Sequence, residues 1–404
     1  MKSANCAFAG AVATTLAVAS TSAQTIPDAV KLHGDVRLRF EHARSDAFEN
    51  DSNALTLRGK LSVEAPLGRR AWVLVEGEGN ARIAGVYDDL VGPRLDRPAI
   101  ADPDGVELNR FVLGARLGNR SQIRIGRQKL SLDDERFLGA VAFRQNDQTY
   151  DAVSLATAPS EDFSFEAGYI RRANRILGRR NPAGVFRGDS YYLNASAVTP
   201  VGRITAFHYA FDLDDRTASP DALINSSAST GVRLNGSRRR DEFGVNWEAS
   251  YAVQRDFADN PIDYEAQYFL IGAGVEIDRF AITLRREELG AGDGRAFQTP
   301  LGTLHAFQGA ADLFLTTPAD GIVDHSVTAA YSFGDFGAVR GVNVFVRRHW
   351  FDAERIDQDY GREWNLGVRA KIAGLQASLV YAGYAADQFA ADEERLWVTA
   401  SKKF

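Results

Sequence analysis

The sequence predicts an all-β fold: one transmembrane antiparallel β-barrel of about 18 strands, with short periplasmic turns and long outer loops. Three observations predict it. Apolar and polar residues alternate with a period of two in segment after segment, while sustained helical periodicity is nearly missing. The connections between these segments alternate short and long. The sequence also closes in mid-strand, on "EERLWVTASKKF". A terminal strand in a soluble sheet would expose an unpaired, aggregation-prone edge.

The first element is a leader. Lys2, the small-residue apolar run "CAFAGAVATTLAVA" and "STSA" read as a secretory signal peptide over residues 1–23, cleaved after Ala23. Residues 24–404 then form a single outer-membrane barrel domain. Cleavage would remove Cys6, the one cysteine, so the exported chain has no disulfide framework. Beyond the leader no run of eighteen apolar residues occurs, which leaves strands as the only way to span a bilayer. A net charge of −6 gives no basic footprint for nucleic acid.

The strands follow. "DVRLRFE" puts Val36, Leu38 and Phe40 on one face and Arg37, Arg39 and Glu41 on the other. "ALTLRGKLSVE", "EFGVNWEASYAV" and "REWNLGVRAKI" alternate in the same way. Segments of this kind begin near residues 34, 53, 71, 106, 121, 149, 162, 188, 202, 229, 241, 264, 279, 321, 340, 362, 375 and 394. Arginine and glutamate sit in mid-strand on the polar faces. Such a sheet is satisfied when its apolar face meets lipid and its polar face meets a lumen, and only a closed barrel then pairs every backbone group. "PLGRR", "LGNR", "PSE", "PVG", "DR" and "AG" are turns, whereas "LSLDDERFLGAVAFRQNDQ" and the 288–320 stretch are long outer loops.

The last strand is expected to pair with the first near "LHGDVRLRFEH", which removes the edge. Phe404 then lies at the periplasmic interface, and Lys402 falls on the outward register, where a lysine can snorkel. This terminal pattern resembles the signal that barrels present to their assembly machinery, an expected partner. Outer-membrane lipid and lipopolysaccharide are the expected surroundings.

Alternation also gives the lumen. Its basic candidates are Arg37, Arg39, Arg58, Lys60, Arg82, Arg124, Arg285, Arg347, Arg369 and Lys371, with Gln128 beside them. Its acidic candidates are Glu41, Glu64, Glu76, Glu78, Glu166, Glu242, Glu248 and Glu287. A ladder of guanidinium groups suits carboxylates, because the planar fork donates two parallel hydrogen bonds. The competing reading pairs these bases with the nearly as numerous acids, merely stiffening the wall. Arg127 is expected to point outward unless a bulge intervenes at Gly126. Asp133, Asp134, Glu135 and Arg136 open an outer loop, read either as an inward-folded constriction or as a solvated ion-paired loop. Asp147 reads as a turn carboxylate. The 288–320 loop, with His305 and Phe307, is too apolar to wave in water and is expected to constrict or cap the pore. His305 has no second His or Cys at ligand spacing, so no metal or cofactor is expected.

"IRIGRQKLSLDDERFLGAVAFRQNDQTYDAV" resembles the signature segment of the alginate-export family of outer-membrane porins. "QTPLGTLHAFQGAADLFLTTPADGI" resembles a second stretch of its shorter members, and both ends of the chain fit. The resemblance implies an eighteen-stranded barrel in a Gram-negative outer membrane. It also implies a charged lumen for anionic solutes such as alginate or uronate oligomers, in export or uptake. The alternatives are a general or small-solute porin, and less so a structural barrel or an enzyme. An enzyme is not expected, since none of the histidines stands in a nucleophile motif and no GxSxG occurs. A TonB-dependent receptor, with its plug domain and about 22 strands, needs a longer chain.

Overall fold

A computed structural model describes residues 29–214 and 222–404. The signal peptide expected over residues 1–23 lies outside the described residues. The described residues form eighteen antiparallel strands in one sheet that closes on itself. These are β1 (Lys31–Ser45), β2 (Ser52–Pro66), β3 (Ala71–Ala84), β4 (Gly105–Arg116), β5 (Ser121–Gln128), β6 (Thr149–Thr157), β7 (Phe163–Asn174), β8 (Val185–Thr199) and β9 (Gly202–Phe211). There follow β10 (Ser227–Arg240), β11 (Phe243–Asp256), β12 (Glu265–Ile277), β13 (Phe280–Leu289), β14 (Ile322–Phe336), β15 (Val339–Asp352), β16 (Asp359–Ile372), β17 (Leu375–Ala386) and β18 (Glu393–Lys403). Each strand begins within a few residues of its expected start.

Closure comes from β1 against β18, in register from Asp35 opposite Lys403 to Ser45 opposite Glu393. The edge left by the terminal strand is therefore covered. The alternation sorts as the sequence implies. Leu38, Leu57, Leu61, Ile125, Leu193, Leu366 and Val398 stand exposed on the outer face, while Arg39, Glu41, Thr56, Arg58 and Glu78 are buried inside. An apolar surface of this extent is stable only against lipid. In β4 the outward phase changes from Val106 and Leu108 to Phe111 and Leu113, across a register shift opposite Glu76 and Gly77. That irregularity turns both Asn109 and Arg110 inward toward Glu76.

The seam is locked at its periplasmic end. Gly34 and Phe404 exchange backbone hydrogen bonds of 2.7 and 3.0 Å. The Phe404 ring occupies the space that a side chain at Gly34 would need, 2.2 Å from an ideal Cβ. Gly34→Val should therefore push the Phe404 ring aside and destabilise the seam by up to about 1 kcal/mol, the low end of the overpacking range, because a terminal ring that is 69% exposed can swing outward. Gly59→Val on the neighbouring strand meets nothing within 4 Å and serves as the control. The temperature at which the folded gel band is lost should fall for the first variant only; equal temperatures would refute the lock.

Two long connections do not stay outside. Residues 129–148, between β5 and β6, and 290–321, between β13 and β14, fold into the barrel. Their Leu130, Phe137, Leu138, Phe297, Leu301 and Phe314 join inward barrel residues Tyr150, Phe207, Tyr209, Tyr268 and Phe351 in one buried cluster. Part of the lumen is thus an apolar core built from loops and wall.

Candidate functional site: the charged lumen and its two inward loops

β1 and β2 carry the densest row of basic side chains. Arg37 donates to the carbonyls of Ala142, Phe143 and Arg144 at 3.1, 3.0 and 3.0 Å. These carbonyls belong to the first inward loop. Arg39 donates to the Phe143 carbonyl, lies 4.4 Å from that ring's centroid and faces Asp102 at 3.5 Å. Arg58 binds Asp35 at 2.5 Å. Lys60 meets Glu78 at 2.8 Å and also Asp147, which Lys129 holds from the loop side. Asp147 is thus more than a turn carboxylate: it is a buried hub where three strands meet the loop. Burial pushes its carboxyl up, but Lys129 and Lys60 outweigh this and hold it well below the usual carboxylate range.

The other basic candidates are spread around the wall. Arg82 pairs with Asp89 at 2.9 Å and lies over Tyr87. Arg124 pairs with Glu166 at 3.1 Å. Arg285 contacts Glu248 at 3.3 Å and Asp134 at 3.9 Å. Gln128 is buried, donating to the Ala152 carbonyl and accepting from Ser154. Arg369 lies 5.4 Å from the Phe345 centroid, and Lys371 is exposed near the periplasmic rim. Arg347 is half-buried and donates to Thr328 at 2.8 Å. Much of the basic row is therefore paired rather than open. Among the described residues, Arg37 and Arg347 have no carboxylate at ion-pair distance.

The loops are tied to the wall by charge. Asp133 accepts from Asn194 at 2.8 Å, and Asp134 pairs with Arg233 of β10. Burial raises the Asp134 carboxyl, yet Arg233 and then Arg285 leave it lowered overall. Glu135 accepts from the Thr303 hydroxyl of the second loop. Arg136, almost fully buried, donates to Glu287, Thr299 and Gln308 at 2.8, 2.9 and 2.9 Å, with the Phe307 ring 4.6 Å away. His305 stacks on Phe143 with centroids 3.5 Å apart and contacts Asp312 at 2.7 Å. It packs between the loops, and no cluster of metal-ligand type exists among the described residues. Arg144 then joins everything: it meets Glu41 of β1 at 3.2 Å and Asp312 of the second loop at 2.7 Å. Arg395 of β18 shares Glu41 at 3.3 Å.

Beneath the first loop, toward the periplasm, lies a cavity of about 450 Å³. Asp35, Arg37, Arg58, Lys60, Arg110 and Lys129 contribute to its lining. The chamber is large enough for a sugar-sized or small organic-acid solute. Its cations are mixed with acids, so it can hold a carboxylate without binding it too firmly to leave.

Sequence reasoning missed Lys129, Arg144, Arg233, Arg395, Asp102 and Asp312. Arg233 and Arg395 follow from strand alternation, Arg233 on the lumen face of "GVRLNG" and Arg395 beside Trp397. The loop residues carry no period, and only their burial in the barrel reveals them.

A family model described as "Alginate export" matches residues 28–282. Among curated proteins no match is found. Solved structures share the architecture. The Pseudomonas aeruginosa protein OccK9 (OpdG) aligns with TM-score 0.70 and 15% identity, over 94% of this chain and 99% of its own. Pseudomonas aeruginosa OpdK, solved with vanillate, aligns with TM-score 0.69 and 15% identity, over 93% and 98%. Acinetobacter baumannii OccAB3 aligns with TM-score 0.67 and 14% identity, over 93% and 99%. At these identities the likeness conveys the fold.

Proposed function

The chain belongs to the alginate-export family, and on that premise we propose that it is a selective channel for anionic saccharides, such as uronate oligomers, or for small organic acids. The coarser statement is secure from the family and the closed barrel: this is a porin of a Gram-negative outer membrane. The observation that carries the finer reading is Arg37 at the edge of the 450 Å³ chamber, with a guanidinium satisfied by neutral carbonyls rather than neutralised by a carboxylate. Arg347 adds a second such charge further round the wall. The vanillate bound to OpdK is an aromatic carboxylate, and its charge class, though not its identity, is taken into this proposal. A second reading has support in the Lys60–Glu78, Arg124–Glu166 and Arg285–Glu248 pairs: a general porin with a self-neutralised wall.

Planar bilayers separate the two. In a salt gradient the reversal potential should shift toward the anion, and added uronate oligomers should interrupt the current. Arg37→Glu combined with Arg347→Glu should move selectivity toward cations. A fixed charge in the lumen acts over roughly 8 Å at 0.15 M salt and about 3 Å at 1 M, so the effect should fade in strong salt. A cation-selective wild type whose current ignores uronates would leave the general porin.

A further inference from the structure

The outer face carries its own charged row, at the extracellular end of β5 to β8. The register aligns Arg127 with Asp151, Asp151 with Arg172, and Arg172 with Arg187. Their level is fixed by the residues below them. Ile125, Val153, Tyr169 and Leu193 on the same strands are 38–49% exposed on the lipid-facing surface. The row therefore stands just above the hydrocarbon belt, on the side of the long loops. A bulge enlarges it. Ile170 is buried inward opposite Ala152, and Ala173 is buried inward opposite Tyr150. The register shift between Ile170 and Arg172 therefore leaves two consecutive arginines, Arg171 and Arg172, on the outer side.

The arginines are unevenly paired. Arg127 binds Asp151 at 2.7 Å, while Arg172 reaches the same carboxylate only at 3.9 Å, with its buried Nε unpartnered. Arg171 pairs with Asp189 at 3.1 Å, and both are about half exposed. Arg187 is exposed, and its side chain has no ion pair among the described residues. Asp212 and Asp214, just beyond β9, also lie on this outer side, Asp212 accepting from the Asp189 amide and Asp214 standing opposite Arg187. The four guanidinium groups thus stand among four carboxylates, and Arg172 and Arg187 are the two that no close ion pair holds. Three strand steps put Arg127 and Arg187 on the order of 14 Å apart. Arginines aimed at lipid cost free energy unless something anionic meets them. The anions at that height in an outer leaflet are the phosphates of its lipid headgroups, and the guanidinium fork matches phosphate geometry.

We infer that Arg127, Arg171, Arg172 and Arg187 form a site for a phosphorylated outer-leaflet lipid, which holds this side of the barrel at its working depth. The site is independent of the lumen and of whatever solute passes. Detergent-purified barrel is mixed with bisphosphorylated lipid A, with its dephosphorylated form, or with inorganic phosphate, and the retained lipid is read by native mass spectrometry. Wild type should retain bisphosphorylated lipid A and lose the dephosphorylated form. Removing arginine charges in Arg172→Gln/Arg187→Gln should weaken retention roughly fivefold per arginine, the worth of one cation near an anionic surface. Asp151→Asn, which removes an opposing charge and spares the arginines, should strengthen it, so a poorly folding double variant does not decide the matter. Lys371→Gln, near the periplasmic rim, should change nothing. Equal retention of both lipid forms, no loss in the double variant with no gain in Asp151→Asn, or full displacement by millimolar inorganic phosphate would each overturn the lipid site.

Discussion

Excising residues 290–321 and joining Leu289 to Ile322 through an Asn-Gly turn should leave a folded barrel with severalfold higher single-channel conductance and no uronate block. The excision is geometrically cheap. β13 and β14 stay paired to their last residues, with Leu289 opposite Ile322, so the ends to be joined already stand side by side. A two-residue turn spans that gap in a hairpin. The effect is large because of what leaves. Phe297, Leu301 and Phe314 withdraw from the buried cluster inside the barrel. The loss of Thr299, Gln308 and Thr303 strips Arg136 of two of its three side-chain acceptors, leaving Glu287, and strips Glu135 of its tie to the second loop. The first loop should then loosen as well. Unheated gel mobility verifies the barrel, and bilayer recording reads the pore. Unchanged conductance would mean that the permeation path runs clear of this loop, along the β1–β2 side alone.

How much of this was legible in the sequence follows from where periodicity operates. Val36, Arg37, Leu38 and Arg39 declare their faces because a strand between lipid and lumen must alternate, and the same rule placed eighteen strands within a few residues. Arg127 was correctly assigned outward by that rule. The rule also betrays the β4 bulge, since the step from Leu108 to Phe111 breaks the phase. It could not show what the arginines touch. Asp147 and Asp312 come from the two loops that fold back into the lumen and Asp102 from the β3–β4 connection that reaches Arg39, and a loop has no period to read. Arg39 and Arg58 thus read as an open ladder, whereas Asp102, Asp35 and Asp147 partly neutralise it. The apolar composition of 288–320 did signal that the segment avoids water, and its burial inside the barrel agrees. Which wall it meets was decided by Tyr268, Phe351 and Tyr360, aromatics on lumen-facing positions that alternation alone marks as inward but not as a docking surface.

The second large effect belongs to Arg144→Ala. The guanidinium lies between Glu41 and Asp312, with both carboxylates and the arginine itself almost wholly buried. Removing it leaves two buried acids short of a partner, and breaking a buried pair costs about 3–5 kcal/mol. The lower end, about 3 kcal/mol, is expected here, because Arg395 still contacts Glu41 and His305 still contacts Asp312. The loss should be local: the amides of 129–148 and 290–321 should exchange roughly 100-fold faster while the strands stay protected. Acid should mimic the variant in wild type. Burial raises the Asp312 carboxyl, but His305 and Arg144 outweigh it and hold the group below its ordinary value, as Lys129 and Lys60 do for Asp147. A carboxylate depressed in this way stabilises fully above its unfolded value of about 3.9, and the contribution is lost as pH falls from there toward the folded value. Bilayer currents should therefore be quiet at pH 7 and 5, and turn noisy with loop movement only below about pH 4. In Arg144→Ala the noise should already be present at pH 7. Protected loop amides and quiet currents in that variant at pH 7 would show that aromatic packing, not the Glu41–Arg144–Asp312 chain, holds the two loops inside the barrel.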